Sequence, residues 1–458
     1  MGEAAPAAYA GRMNATLPPP AAPAPPHLLR GQVLRFVADP FHHPDSALHH
    51  EPDGAVLLAE GRIAALGPAP ALLAAHPGVP VTDWRGQLLL AGFVDTHAHY
   101  PQLPIIGSYG RQLLDWLADY TFPAEQELAD PAHAERLAAA FLDELARNGI
   151  TTASVYGTVH PGSVDAFFTA AAARGMRMAA GKVLMDRNAP PPLTDTAQRG
   201  YDESAALIAR WHGRGRATYA ITPRFAVTSS PAQLEAAGAL WRAHPDTLMQ
   251  THADENRDEI ALVGRLFPEA PDYLGVYERY GLVGAGANFG HCIHLAPREV
   301  ALLRASGAGV SHCPSSNLFI GSGLFDLAGL AGGAAPVPIG LGSDVGAGTA
   351  VSMFATMKAA YEVAQLRGHS LPPAQAFWLA TQGGARLLRM EGRIGNLAPG
   401  MEADLVVLDP FCRPLLAQRA ARARQVEDLL FALMILGDDR AIRATYVGGR
   451  LLHDRDRA

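Results

Sequence analysis

Two histidines separated by one residue, His97 and His99, end an apolar segment that starts at Phe93. Residues i and i+2 of an extended strand point to the same side, so the two imidazoles can bind one metal ion. The pair alone is weak evidence, because 18 histidines in 458 residues produce such pairs by chance. It predicts a metal site only if further ligands follow elsewhere in the chain.

Three further side chains of the metal-binding kind stand at the ends of later apolar segments: His252, His291 and Asp344. Catalytic zinc takes imidazole and carboxylate ligands and keeps one position for water. Glu255, three residues after His252, adds a carboxyl group that could transfer a proton. Together these residues predict a hydrolytic zinc centre, with iron as the alternative ion.

These residues need a fold that brings several strand ends to one place. From about residue 91 to 390, eight apolar segments alternate with amphipathic helices such as 131–147, which has Asp130 at its N-cap, Pro131 at its first position and Gly149 past its end. The alternation predicts an α/β fold, a (β/α)8 TIM-type barrel whose strand ends meet at one mouth, with an open sheet as the alternative. The eight predicted strands are Phe93–His99, Thr151–Tyr156, Met178–Met185, Tyr219–Phe225, Leu248–His252, Asn288–His291, Gly309–Cys313 and Val337–Gly342.

Short strands and glycine-rich turns flank the barrel region on both sides, over residues 28–90 and 391–458. We expect these two segments to form one small β-sandwich domain from both chain termini. Residues 1–27 are rich in alanine and proline and lack the basic start and apolar centre of a signal peptide. We expect them to form a disordered tail.

Composition narrows the class of partner. The net charge is −7 at pH 7 without a basic patch, so nucleic acid and anionic membranes are not expected partners. The three cysteines, Cys292, Cys313 and Cys412, are widely separated and suit a reducing compartment better than a disulfide framework. The composition indicates a cytoplasmic protein that acts on a small molecule.

The pattern Asp-x-His-x-His on the first predicted strand, His on the fifth and sixth, and Asp on the eighth resembles the amidohydrolase superfamily of metal-dependent hydrolases. Within it, the chain from about residue 28 onward is most similar to the guanine deaminase family. Ser343 departs mildly from that family, which usually has threonine there. The stretches that carry the similarity are HYPQ at 99–102, TFPAE at 121–125, TPRF at 222–225, ENRDE at 255–259, SHCPSSNL at 311–318 and GSDV at 342–345.

The resemblance implies hydrolysis of guanine to xanthine and ammonia in purine catabolism, by a homodimer. Two-metal members of the superfamily bridge their ions with a carboxylated lysine on strand four, and Tyr219–Phe225 has no lysine. One zinc ion per subunit is therefore expected. The implied metal ligands are His97, His99, His252 and Asp344.

The catalytic residues implied by the resemblance are Glu255, Asp344 and His291. A zinc ion would lower the pKa of its bound water, Asp344 would accept the proton, and Glu255 would protonate a ring nitrogen. His291 would hydrogen-bond the water. Gln102, Arg224 and Phe225 would bind the purine.

Two other functions stay open at this stage. A related aminohydrolase could act on 8-oxoguanine, an adenosine-type nucleoside or a triazine, and a non-catalytic barrel could serve as a binding scaffold. Other polar residues near the motifs have structural interpretations. Asp254, Asp258 and Glu259 are expected at the solvated start of a helix, whereas His294, His312 and the helical Trp116 are expected to support packing.

Overall fold

The computed structural model describes residues 24–110 and 112–457. The predicted tail therefore lies outside the described residues up to position 23, and the first strand begins at His27. The strands are β1 (His27–Phe36), β2 (Leu48–Ala59), β3 (Arg62–Pro68), β4 (Val81–Ala91), β5 (Phe93–His99), β6 (Ile150–Tyr156), β7 (Arg177–Gly181), β8 (Val183–Leu184), β9 (Ala217–Pro223), β10 (Leu248–Ala253), β11 (Ala287–His291), β12 (Gly309–His312), β13 (Ile339–Leu341), β14 (Leu405–Leu408), β15 (Ile442–Val447) and β16 (Arg450–Asp454).

Strands from both chain ends form one sheet of seven, in the order β16-β15-β14-β4-β1-β2-β3. The pairing is antiparallel except between β1 and β4, which run parallel. One face of this sheet buries an apolar cluster of its own that includes Leu29, Val56, Leu89, Leu405 and Ala444. The expectation of a β-domain built from both termini is confirmed.

The remaining strands form the barrel, with parallel neighbours in the order β13-β12-β11-β10-β9-β7-β6-β5. The short β8 follows β7 after Lys182 and pairs with β9. Between β5 and the segment after β13, the amide of Asp344 donates to the His97 carbonyl at 2.8 Å and that of His99 to the Val345 carbonyl at 3.0 Å. These bonds bring the first and last strands together. All eight predicted barrel strands are confirmed, and every barrel strand except β9 is buried along its whole length, as parallel strands covered by helices should be.

Helices cover the outside of the barrel. Pro131–Arg147 has the predicted bounds, and the Asp130 side chain accepts a hydrogen bond from the amide of Ala132. Pro414–Ala420 and Val426–Leu436 lie in the C-terminal segment, for which only strands were predicted, and Val426–Leu436 packs against Met353–Leu366 of the barrel. The other α-helices are Ala69–Ala75, Leu113–Trp116, Phe122–Gln126, Pro161–Arg174, Ala197–Trp211, Pro231–Ala243, Arg257–Leu266, Tyr273–Arg279, Pro297–Ser306, Pro314–Phe319, Leu327–Ala331, Pro373–Trp378 and Gly384–Leu387.

Across residues 24–110 and 112–457, none of the helices combines the length and the apolar character that crossing a bilayer requires.

A cluster of charges joins the amino ends of the barrel strands to the terminal β-domain. Arg177, which begins β7, donates to Glu402 at 2.7 Å, and Arg216, just before β9, donates to Glu402 and to Asp404 at 3.0 Å each. Burial by itself would raise the pKa of Glu402, but the hydrogen bond from Arg177 and the charge of Arg216 hold it below its ordinary value. In barrels of this type the amino ends of the strands contribute to stability, whereas catalytic residues lie at the carboxyl ends.

We expect Glu402→Gln to lower the free energy of unfolding by about 3 kcal/mol, because it leaves the buried guanidinium of Arg177 without its counter-charge. A carboxylate with a depressed folded pKa stabilises the fold above its unfolded pKa and loses that contribution as the pH falls through the folded value. The variant should therefore lose less stability on acidification than the parent. Urea unfolding at pH 7 and pH 4 measures both effects. Glu391→Gln, at an exposed position, is the matched control, and equal pH dependence in parent and Glu402→Gln would contradict the prediction.

Candidate active site

Four side chains at the carboxyl ends of β5, β10 and β13 converge on one point. The Nε2 atoms of His99 and His252 are 3.2 Å apart, and an oxygen of Asp344 lies 3.4 Å from Nε2 of His97 and 3.3 Å from Nε2 of His99. One ligand atom from each of His97, His99, His252 and Asp344 falls within 4.8 Å of the others. All four predicted metal ligands are thus brought together.

This cluster fits a metal ion better than a hydrogen-bond network. Buried polar atoms are normally paired, yet neither ring nitrogen of His97 and not Nδ1 of His99 has a hydrogen-bond partner among the described residues. Burial lowers the pKa of His99 to about 3 and that of His252 well below its usual value. The rings are therefore neutral, as metal ligands must be.

Asp344 supplies the negative charge of the cluster. Burial would raise the pKa of this carboxyl, but its contacts with His97 and His99 hold the pKa well below the ordinary value. Neutral imidazoles with one carboxylate are the donor set of a catalytic divalent cation. The backbones of Asp344 (φ 48°) and His291 (φ 70°) occupy the left-handed region, a strained conformation that concentrates at functional sites.

Neighbouring residues hold the ligands in place. Nδ1 of His252 lies 2.7 Å from the Arg224 carbonyl, which can only accept, so Nδ1 donates and Nε2 is left for an ion. Asp95 accepts hydrogen bonds from the amides of Ser343 at 2.9 Å and His97 at 3.1 Å, and from the Ser343 hydroxyl. The hydroxyl that serine shares with the family's usual threonine at position 343 therefore contacts Asp95.

Space for the ring of His97 depends on Gly290 of β11. A Cβ atom at position 290 would lie 2.5 Å from Cε1 of His97, closer than real Cβ contacts. The absence of a side chain at Gly290 therefore leaves room for the ring of His97 between β5 and β11.

Glu255 and His291 lie beside the cluster. Nε2 of His291 is 3.5 Å from a Glu255 oxygen and 3.8 Å from an Asp344 oxygen, and its Nδ1 is 2.8 Å from the amide oxygen of Asn317. Burial raises the pKa of Glu255 to about 7, which leaves a large protonated fraction near neutrality. A carboxyl group in that state can donate a proton.

These residues open onto a pocket lined by both polar and apolar side chains, as small-molecule sites are. All three residues predicted to bind substrate, Gln102, Arg224 and Phe225, line it. The full lining is His99, Gln102, Leu113, Trp116, Leu117, Thr121, Arg224, Phe225, His252, Glu255, His291, Ile320, Asp344 and Ala347.

One wall of this pocket was not predicted from the sequence. Leu113, Trp116, Leu117 and Thr121 come from the segment after β5, and Ile320 comes from the segment after β12. Trp116 is buried as expected, but it also lines the pocket. Long connections after barrel strands are where such folds place substrate contacts, so the length of residues 100–130 was the available signal.

Two acids predicted at a solvated helix start are instead buried. Glu259 accepts hydrogen bonds from the amides of Glu255 and Asn256, both at 3.1 Å, and from the Tyr273 hydroxyl at 2.6 Å. Asp254 is 2% exposed, so the expectation of solvation was wrong for both residues and correct only for Asp258. The capping box at Asn256 fixes the loop that carries Glu255.

The two histidines given structural interpretations are outside the cluster. His294 lies 2.8 Å from the carbonyl of Ser322, and Ser322 in turn donates to Glu255 at 3.2 Å. His312 is buried and stacks on Phe325 with ring centroids 4.3 Å apart. His294 therefore supports the loop beside Glu255, while His312 packs inside the fold.

Comparison with known proteins places this geometry in a class. A model of the amidohydrolase family matches residues 88–452, and one of the bacterial imidazolonepropionase-like composite domain matches residues 54–78 in the terminal sheet. The chain belongs to the amidohydrolase family and is a hydrolase.

The particular relatives are guanine deaminases. The chain is 48% identical to guanine deaminase of Escherichia coli (strain K12) over 412 residues, 90% of this chain and 93% of the relative. The crystal structure of guanine deaminase from Bradyrhizobium japonicum superposes with a TM-score of 0.92 at 36% identity, covering 94% of this chain and 100% of that one. Guanine deaminase from C. acetobutylicum, solved with guanine bound in its active site, gives a TM-score of 0.84 at 26% identity, covering 93% and 100%.

Proposed function

We propose that this protein is a guanine deaminase that hydrolyses guanine to xanthine and ammonia with one zinc ion per subunit. The observation that carries the proposal is that Gln102 and Arg224 line the same pocket as the histidine–aspartate cluster. An amide and a guanidinium match the hydrogen-bonding edge of an oxo-purine, and Phe225 offers a flat apolar contact to its ring. Relatives at 48% and 43% identity are named guanine deaminase and probable guanine deaminase, which supports the proposal.

The reaction adds water across a C=N bond of the ring. The oxygen attacks the carbon that bears the exocyclic amine, and the adjacent ring nitrogen takes a proton. When bound, the ion would acidify the water and polarise it for attack. Asp344 accepts a proton from the water as the new C–O bond forms, and Glu255 donates a proton to the adjacent ring nitrogen. Asp344 then passes its proton to the amine, and the C–N bond breaks with release of ammonia. The added hydroxyl loses its proton to Glu255 and becomes the carbonyl of xanthine, so both carboxyl groups return to their starting states. His291, 3.8 Å from Asp344, orients the attacking oxygen.

Arg224 and Gln102 position the ring for this attack. We propose that Arg224 donates to the carbonyl oxygen of guanine and that Gln102 hydrogen-bonds the opposite edge. A pocket of buried donors rejects a base that lacks the matching acceptor far more strongly than pocket shape alone, because its donors would stay unpaired. Adenosine-type nucleosides and triazines present a different pattern of hydrogen-bond donors and acceptors to these two side chains.

The test of the function is turnover of guanine with stoichiometric ammonia release, before and after metal removal. We expect chelation to abolish turnover and added zinc to restore it, with metal analysis giving one ion per chain. Reconstitution with iron in parallel decides between the two ions. Turnover of 8-oxoguanine or a triazine in place of guanine would overturn guanine as the substrate but leave the protein a hydrolase. A metal content near zero with no turnover would favour the scaffold alternative.

We infer a homodimer, a cytoplasmic location that keeps Cys292 and Cys313 reduced, and a role in purine catabolism. Both cysteines are buried and unpaired. The homodimer is supported by the family resemblance, and light scattering of the purified protein tests it directly.

A further inference from the structure

A fully buried carboxylate, Glu125, lies beside the proposed substrate contacts without a role in the chemistry described above. It belongs to the helix Phe122–Gln126, in the segment after β5. Its partners are Arg224, at 2.8 and 2.7 Å, and Gln102, at 3.2 Å. One carboxylate thus contacts both polar side chains that would read the purine.

Glu125 determines which way the amide of Gln102 points. A carboxylate can only accept hydrogen bonds, so the nitrogen of Gln102 must face Glu125. On the other side, the amide of Gly346 can only donate, and it lies 3.3 Å from the amide oxygen of Gln102. Two independent contacts therefore assign the orientation, and Gln102 keeps one N–H for a ligand.

Glu125 also fixes the guanidinium of Arg224. Both of its oxygens accept from Nη1, which leaves the other N–H groups of Arg224 available to the pocket that this residue lines. The carbonyl of the same arginine accepts from Nδ1 of His252 and from the Thr251 hydroxyl at 3.2 Å. The main chain and the side chain of Arg224 are therefore each held by contacts of their own, and the main chain contacts the proposed metal ligand His252.

We propose that Glu125 is a positioning residue that sets specificity for an oxo-purine by holding Arg224 and Gln102 in the orientations described. The proposal rests on the proposed function and deepens it. A glutamine at position 125 would turn one carboxylate oxygen into a donor facing the donors of Arg224 and Gln102. Arg224 would then lose its anchor, and with it the fixed donor for the carbonyl oxygen.

The test compares two bases that cannot be deaminated, hypoxanthine, which carries the carbonyl oxygen, and unsubstituted purine, which lacks it. Binding to zinc-loaded protein is measured by calorimetry. We expect Glu125→Gln to weaken the binding of hypoxanthine roughly 10- to 100-fold and the binding of purine by less than about threefold. Only hypoxanthine accepts the charged hydrogen bond from Arg224. If Glu125 had a purely structural role, its replacement would weaken the binding of both bases equally.

The matched control is Glu127→Gln, two residues further on, where the side chain is 65% exposed and should leave both affinities unchanged. If Glu125→Gln fails to fold, Glu125→Asp, which keeps the charge but draws it back from Arg224, is measured in the same way. If the parent protein binds hypoxanthine more tightly than purine and the variant keeps that preference, the proposed role of Glu125 is overturned and the proposed function stands. A parent that neither prefers hypoxanthine nor deaminates guanine would overturn the proposed function with it.

Discussion

Replacing Asp344 with asparagine is expected to strip the protein of its metal and to reduce kcat/KM for guanine by at least roughly 10⁴-fold, because one change removes both a proposed metal ligand and the proposed proton acceptor. Asparagine has nearly the same shape, so the loss would come from charge. Asp344 supplies the carboxylate of a cluster whose other three members are neutral imidazoles. Without its charge, the cluster binds a divalent cation weakly.

This prediction is tested by measuring the metal content and the kcat/KM of the variant on the same preparation. Asp246→Asn, at an exposed position before β10, is the control and should keep full metal content and activity. Circular dichroism shows whether Asp344→Asn folds. A folded variant that retains one ion per chain and parent activity would exclude Asp344 from both roles.

The parts of the fold that the sequence predicts well are those with a local signal. The eight barrel strands are short apolar segments between amphipathic helices, and Pro131–Arg147 carries its own start and stop residues. The metal cluster follows from these strands, because the carboxyl ends of parallel strands in a closed barrel must meet. His97, His252 and Asp344 could be placed together for that reason alone.

The parts that escaped prediction depend on contacts between distant segments. Glu259 has the sequence context of a solvated helix start, yet the Tyr273 hydroxyl and two backbone amides bury it. The role of Glu125 needs its position relative to Arg224, 99 residues away. Helix Val426–Leu436 packs by its apolar surface on the barrel, and an apolar run of that length does not by itself distinguish helix from strand.

Glu255→Gln is expected to separate chemistry from binding. The variant keeps the size of the side chain and the contact with Ser322, 3.2 Å away, but a glutamine amide is not an acid that can protonate a ring nitrogen. We expect kcat for guanine to fall roughly 10²- to 10⁴-fold, the usual contribution of a general acid, while KM and metal content stay close to those of the parent.

Stopped-flow kinetics with metal analysis checks this, and Asp258→Asn provides the matched control, since this exposed acid lies three residues further along the same segment. Loss of metal in Glu255→Gln would mean that the carboxylate supports the ligand cluster instead of donating a proton. An unchanged kcat would mean that the ring is protonated elsewhere, and His291, whose Nε2 is 3.5 Å from Glu255, would become the donor to test. Asp344 should therefore control both metal binding and turnover, whereas Glu255 should control turnover alone.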